Sequence, residues 1–346
     1  EAKLGKIYTM VGNKPTEVSE LFAGDIGAIA KLANTKTGDT LSTKNTPVMY
    51  GKTEYSKPYT YMKYVCNNKG DEDKVSQALQ KMMAEDVTLK TVNDSENRQT
   101  LLYGMGDQHL EITASKLATR YKCEIRLETP KVAFRETIKK KSDVDSKYKK
   151  QSGGHGQFGD VWMEFEPSGD MSKQYIFEEK IFGGSVPKQY FPAVEKGLQE
   201  CVANGVLAGY PVVGLKATLV DGSYHPVDSS EMAFKMATSV AFKDGVSKAK
   251  PTILEPIAHV EVIVPERFMG DIMGDINKRR GRILSIDSVD GGKKSIVAEI
   301  PMAEIAKYSI DLRSMTQGRG SYTYNFERYE EAPADVQQKV IAARAK

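Results

Sequence analysis

Two stretches of this chain, residues 57–129 and 257–329, carry the same alternation of hydrophobic periods, and nothing else narrows the possible folds as much. Residues 59–65 are aromatic and β-branched, the composition of a half-buried strand. Asp71 then heads a helix whose Val75, Leu79, Met82 and Met83 fall at i, i+4, i+7 and i+8, one apolar stripe. Strands over 89–93 and 100–103 follow, then a helix from about Gln108 that aligns Leu110, Ala114, Leu117 and Tyr121. Residues 123–127 alternate as a last strand. The order β-α-β-β-α-β is the split βαβ, or ferredoxin-like, unit. In the second stretch the strand 258–264 leads to Pro265 at a helix start, with Ile272, Met273 and Ile276 on one face. Strands 283–289 and 295–300 flank Asp290-Gly291-Gly292, a hairpin signal, and a helix with Ile305, Leu312 and Met315 precedes the strand 321–328. Residues 332–345 read as a short terminal helix.

The middle, 130–250, has another rhythm. Residues 161–166 and 176–181 read as paired strands, 191–203 as a helix, 212–220 as a strand and 232–242 as a second helix. Residues 1–50 hold about four short strands, half of what a small barrel needs, so edges are left open. At 346 residues, 40% hydrophobic and 27% charged, the chain is long enough for several packed domains. A net charge of +3 is too small to make the whole surface a polyanion receptor, so any basic surface is local. Cys66, Cys123 and Cys201 are few, odd in number and set among apolar neighbours, the usage of reduced thiols. No apolar run is long enough to span a bilayer, which excludes a helical membrane anchor in this sequence.

Two segments hold chemistry. Residues 147–159 read KYKKQSGGHGQFG, joining Lys147, Lys149 and Lys150 to Gly153, Gly154, His155, Gly156, Gln157 and Phe158. Glycines let backbone approach a partner closely, lysines attract phosphates, and rings stack on nucleobases. Residues 221–231 read DGSYHPVDSSE, placing Ser223, Tyr224 and His225 at a strand end before a helix capped by Asp228, Ser229 or Ser230. Composition alone also allows a solvated loop and a turn histidine. The lysines at 139–141 and 147–150 are also compatible with an ordinary solvated strand face. Lys278, Arg279, Arg280 and Arg282 gather at a helix end, where they either complement the helix dipole or meet RNA.

These segments resemble translation elongation factor G and its relatives, in order along the chain. GKIY at 5–8 and AGDIGAIAKLANTKTGDTL at 23–41 are similar to the second half of that family's β-barrel domain. GMGDQHLEI at 104–112 and PKVAFRETI at 130–138 resemble its third domain and the entry to its fourth. The two loop segments resemble the tip of the fourth, and DIMGDINKRRGRI at 271–283 with LRSMTQGRGSYTYNF at 312–326 the fifth. The resemblance implies an α+β multidomain chain: a partial barrel (1–56), a ferredoxin-like domain (57–129), a ribosomal-protein-S5-like α/β arm (130–250) and a second ferredoxin-like domain with a C-terminal helix (251–346). It implies a cytoplasmic, ribosome-binding role, with the arm tip near A-site tRNA–mRNA and the basic cluster on ribosomal RNA. It further implies an N-terminal GTPase domain in cis that would hold GTP and Mg.

No GTP or metal site is expected in this chain itself. Gly51-Lys52-Thr53 ends like a P-loop, but Thr46 stands where its first glycine is required. Asn68-Lys69-Gly70-Asp71 and the DxxG at 271–274 are in the wrong order for a GTPase. The four histidines lack metal-ligand spacing, and His109, at a helix start, reads as structural. Pro226 follows His225 where the principal factor usually has an acid, His155 replaces a usual arginine, and Asp160 a common histidine. These departures fit a paralogue. Recycling or ribosomal-protection relatives share the architecture, and a free-standing RNA-binding module is the reading from another class.

Overall fold

A computed structural model describes residues 4–95, 97–151 and 156–344, so Gly153, Gly154 and His155 lie outside the described residues. The chain divides into two compact units, residues 1–93 with 100–128, and residues 94–99 with 129–346.

In the first unit, β1 (Ile7–Val11), β2 (Lys14–Val18) and β3 (Ala28–Ile29) form an antiparallel sheet in the order β2-β1-β3. Among the described residues three strands form where four are expected, and beyond them Thr43 and Thr46 make only an isolated bridge. The apolar residues after Ile29 are too sparse, and the Asn, Gly and Asp turns too frequent, to alternate through another strand. The sheet is open. Apart from the strand-end residues Asp94 and Gln99, the same unit holds β4 (Thr60–Cys66), α1 (Glu72–Glu85), β5 (Lys90–Asp94), β6 (Gln99–Gly104), α2 (Asp107–Tyr121) and β7 (Ile125–Glu128). The sheet order β5-β6-β4-β7 is that of the ferredoxin-like unit, with Val75, Leu79, Leu102, Leu110 and Leu117 packed between helices and sheet. Asp71 occupies the N-cap position of α1 but makes no capping hydrogen bond; its carboxylate instead accepts from Asn68 Nδ2 at 3.2 Å. His109 is structural: Nδ1 accepts from Met105 N–H at 3.1 Å, and Nε2 lies 3.1 Å from Asp86.

The second unit contains two sheets. Its four-stranded sheet is built from β9 (Ser142–Lys150), β10 (Gln157–Pro167), β11 (Tyr175–Glu179) and β12 (Leu215–Ser223) in the order β11-β12-β10-β9; β8 (Arg135–Ile138) precedes them. The expected pairing of the second and third of these is therefore incorrect: β12 lies between β10 and β11. It runs parallel to β11 through a crossover containing α3 (Phe191–Val202), since parallel neighbours need a long connection and a hairpin does not supply one. The helix α4 (Glu231–Lys248) packs with α3 on one sheet face, burying Val161, Met163, Phe165, Leu215, Ala217 and Leu219.

The other sheet holds β13 (Pro251–Pro265), β14 (Arg282–Val289), β15 (Lys293–Pro301) and β16 (Ser321–Glu331) in the order β14-β15-β13-β16. Between them run α5 (Met269–Lys278) and α6 (Tyr308–Thr316), and α7 (Ala334–Arg344) follows. Pro265 ends β13 and is followed by a 3₁₀ turn before α5 begins. Ile305 is buried yet precedes α6. β8 joins this sheet by pairing with β13, so the segment leading into the four-stranded sheet is also a strand of the five-stranded one. No helix among the described residues is long and apolar enough to cross a membrane.

Candidate nucleic-acid interface

β10 begins and β12 ends at the same end of the four-stranded sheet, because they pair antiparallel with Asp160 opposite Ser223. That register brings the two glycine- and histidine-bearing segments together. Phe158 forms a parallel bridge with Ser229, and its N–H donates to the Asp228 carbonyl at 2.8 Å. Gly156 N–H donates to Asp228 Oδ1 at 2.9 Å. Ser229 Oγ donates to the Phe158 carbonyl at 3.0 Å while accepting from His225 N–H at 2.9 Å. Of the three candidate caps only Ser230 caps α4, accepting from Ala233 N–H at 3.2 Å. Asp228 and Ser229 instead clamp one loop to the other.

The clamp orients His225. Its Nδ1 accepts from the N–H groups of Val227 and Asp228 at 3.3 and 3.2 Å, so the neutral ring carries its proton on Nε2. The 3.5 Å approach of Asp228 Oδ2 to the same nitrogen is not an ion pair in that tautomer. The side chain is 53% exposed, leaving Nε2–H to donate outward. The Phe158 ring lies 6.4 Å from the imidazole, tilted by 60°. Gly159 makes this packing possible: a Cβ there would stand 2.5 Å from the Ala233 carbonyl oxygen, inside the first turn of α4.

The lysines flank these loops across β9. Lys150 and Lys149 stand opposite Gln157 and Phe158, are exposed, and have no carboxylate partner among the described residues. Lys147 is different, because its Nζ lies 3.4 Å from the buried Asp160. Asp160 also accepts from Ser223 Oγ, which ties that expected tip residue into the sheet. The Asp145 carboxyl is pushed above the ordinary range, chiefly by desolvation and by Asp160 beside it. Gly156, Gln157, Phe158, Tyr224 and His225 therefore share one end of the sheet with Lys149 and Lys150.

The basic cluster of the five-stranded sheet differs in character. Arg279 Nε donates to Asp275 at 2.7 Å and Nη1 to the Glu304 carbonyl at 2.7 Å, and its guanidinium also meets Asp311. Arg280 grips buried Glu255 through two bonds of 2.7 and 2.9 Å, and Arg282 pairs with Glu299. Three of the four expected RNA-facing cations thus already hold carboxylates. Of the four, Lys278 alone is exposed and without an acidic partner among the described residues.

Glu299 receives a bidentate Arg328, at 2.6 and 2.8 Å, as well as Arg282. Arg328 first, then Arg282, pulls its carboxyl down to about 2 from the ordinary 4.5. A depressed carboxyl stabilises the fold above its unfolded pKa and loses that contribution as pH falls through the folded one. The expected result is acid destabilisation of this sheet between about pH 4.5 and 2, less steep in Glu299→Gln, measured by pH-dependent thermal melts.

Among the described residues no group of three or more His, Cys, Asp or Glu is arranged to hold a metal ion. The arrangement offers cations, exposed rings and an outward imidazole N–H, a binding chemistry for nucleic acid.

One chain thus carries a ferredoxin-like sheet and an α/β sheet whose end is clamped at Asp228 and Ser229. Sequence profiles match accordingly: elongation factor G domain 2 over residues 1–44, domain III over 55–129, domain IV over 130–250 and the elongation factor G C-terminus over 252–340. The chain belongs to the elongation factor G family. A crystal structure of a protein from Thermus thermophilus is similar to it at 37% identity and a TM-score of 0.79, over 98% of this chain. This chain spans 51% of that protein's length.

Proposed function

We propose that this chain is the ribosome-engaging portion of a cytoplasmic elongation-factor-G-like GTPase. Its clamped loops enter the decoding site of the ribosome, where the incoming tRNA pairs with mRNA, and promote tRNA–mRNA translocation. GTP and Mg are held by a domain outside these 346 residues. The observation that supports this most is the Asp228–Ser229 clamp, which fixes Phe158 and His225 at the end of a sheet flanked by Lys149 and Lys150. No covalent step belongs to these residues; they bind and block. Lys278 is the one member of the basic cluster proposed to meet ribosomal RNA.

Each phosphate contact releases condensed counterions, so its loss both weakens binding and flattens the salt dependence. Lys149→Ala with Lys150→Ala is expected to lower ribosome affinity at low salt and to reduce the slope of log K against log[salt] by about 1 to 2. Filter binding of the chain to ribosomes across a salt series measures it. An unchanged slope contradicts phosphate contact at these lysines. In the longer factor, splitting of the ribosome without translocation would place the protein with recycling relatives instead.

A further inference from the structure

We propose that the segment from Lys180 to Tyr190 is a third RNA-contacting loop at this end of the sheet, and that Phe182 stacks on an unpaired nucleobase. This rests on reading that end as an RNA-contacting surface. β11 and β12 are parallel, so the exit of β11 lies at the end where β12 delivers Tyr224 and His225. Three anchors hold the loop there. Lys180 N–H donates to the Leu219 carbonyl at 2.8 Å. Val186 is buried in the core, and its methyl lies so near Gly222 that a Cβ on that glycine would come within 2.7 Å of it. Tyr190 stacks on Phe234 with centroids 4.5 Å apart, and its hydroxyl donates to the Ser229 carbonyl at 3.4 Å, reaching the clamp itself.

Between these anchors the chain turns through Gly183 and Gly184, at φ +72° and +73°, and presents Phe182 at 94% exposure. The whole ring face is therefore open to a partner, on a segment whose two sides are fixed, and its apolar area is available to be buried on contact. The chemistry of the occupant follows from the neighbours. Lys180 and Lys188 are exposed, and the segment contains no carboxylate of its own; Asp221 of β12 reaches it but is engaged by Ser185 and the Gly222 N–H. The preceding Glu178 pairs with Lys216 at 3.2 Å, and Glu179 turns back onto the Ile181 N–H. An aromatic face between lysines is the pattern that holds single-stranded nucleic acid without reading its sequence. Docking into an aliphatic pocket on a protein would need neither the ring nor the charges.

The test is binding of the full chain to purified ribosomes at fixed salt, with Lys149→Ala/Lys150→Ala in parallel. Phe182→Ala is expected to weaken binding about tenfold, the order of one lost base stack, with an unchanged melting temperature because the side chain is exposed. Phe182→Tyr and Phe182→Trp should restore affinity, and Phe182→Leu should not. In Trp162→Phe/Phe182→Trp, the new indole's fluorescence should be quenched on binding. Full rescue by leucine overturns the proposal in favour of an aliphatic contact with a protein. A silent Phe182→Ala beside weakened lysine variants overturns the third loop alone. Silence in both sets overturns the reading of the whole surface, and the loop with it.

Discussion

Glu136→Ala is expected to destabilise the second unit by about 3–5 kcal/mol, the order seen when a buried, fully engaged carboxylate is removed. Glu136 is 1% exposed, and its carboxylate accepts from four backbone N–H groups: Val206 at 2.7, Leu207 at 2.9, Ala208 at 2.8 and Tyr210 at 3.2 Å. The backbone on either side is engaged too, since Glu136 N–H donates to the Pro211 carbonyl and its own carbonyl accepts from Val213 N–H. Gly205 lies against the carboxylate at φ +56°, where a Cβ would stand 2.4 Å from Glu136 Cδ. Alanine would leave four N–H groups without that acceptor, Ala208 buried and the other three partly buried. For a unit of this size the change corresponds to a fall in melting temperature on the order of 10 °C. Glutamine is expected to recover only part of it, because its NH₂ would face donors. Differential scanning calorimetry of the two variants checks this, and a loss under about 1 kcal/mol for alanine would show that water replaces the carboxylate without penalty.

In the longer factor, His225→Ala is expected to slow translocation about ten- to a hundredfold while leaving ribosome-stimulated GTP turnover nearly unchanged. Nε2–H is the outward donor of a ring whose other nitrogen is already held by two backbone N–H groups. Removing the ring therefore deletes an outward contact and a local brace together. The clamp itself is built from Asp228 and Ser229, so it survives the substitution, whereas Asp228→Ala loosens the loop holding Gly156. If contact at this end matters only in the moving step, translocation falls and hydrolysis in a separate domain does not. Parallel single-turnover assays of both separate the two. Equal loss of both rates would tie His225 to activation of hydrolysis instead.

The ferredoxin-like order was legible in the sequence because its stripes are local: Val75, Leu79 and Met82 declare α1 without reference to any partner. Pairing was not. β10 and β11 are neighbours in sequence among the strands, but the strand between them arrives some forty residues later, and nothing in the hydrophobic period encodes that crossover. β9 was legible only as a possible solvated strand face at its lysine end, since its inward residues include Ser146 amid alternating charges. At the candidate site the glycine loop and His225 could be read from motif resemblance. The tasks of Asp228 and Ser229 could not, because a cap and a clamp use the same residue types. The arginines at 279, 280 and 282 looked like helix-end cations because their carboxylates at Glu255, Glu299, Glu304 and Asp311 are near only in the fold. Phe182 carried no motif at all; its exposure emerges only when parallel pairing places its loop beside His225.

In the proposed function, this end of the four-stranded sheet meets small-subunit RNA. Photocrosslinking from Gln157→p-benzoylphenylalanine, with the chain bound to ribosomes, tests it most directly, because Gln157 opens β10 beside the clamp and is exposed. Crosslinks to RNA of the small subunit are expected, reduced when Lys149 and Lys150 are alanine. Crosslinks confined to ribosomal proteins, or none from a chain shown to be bound, would contradict it.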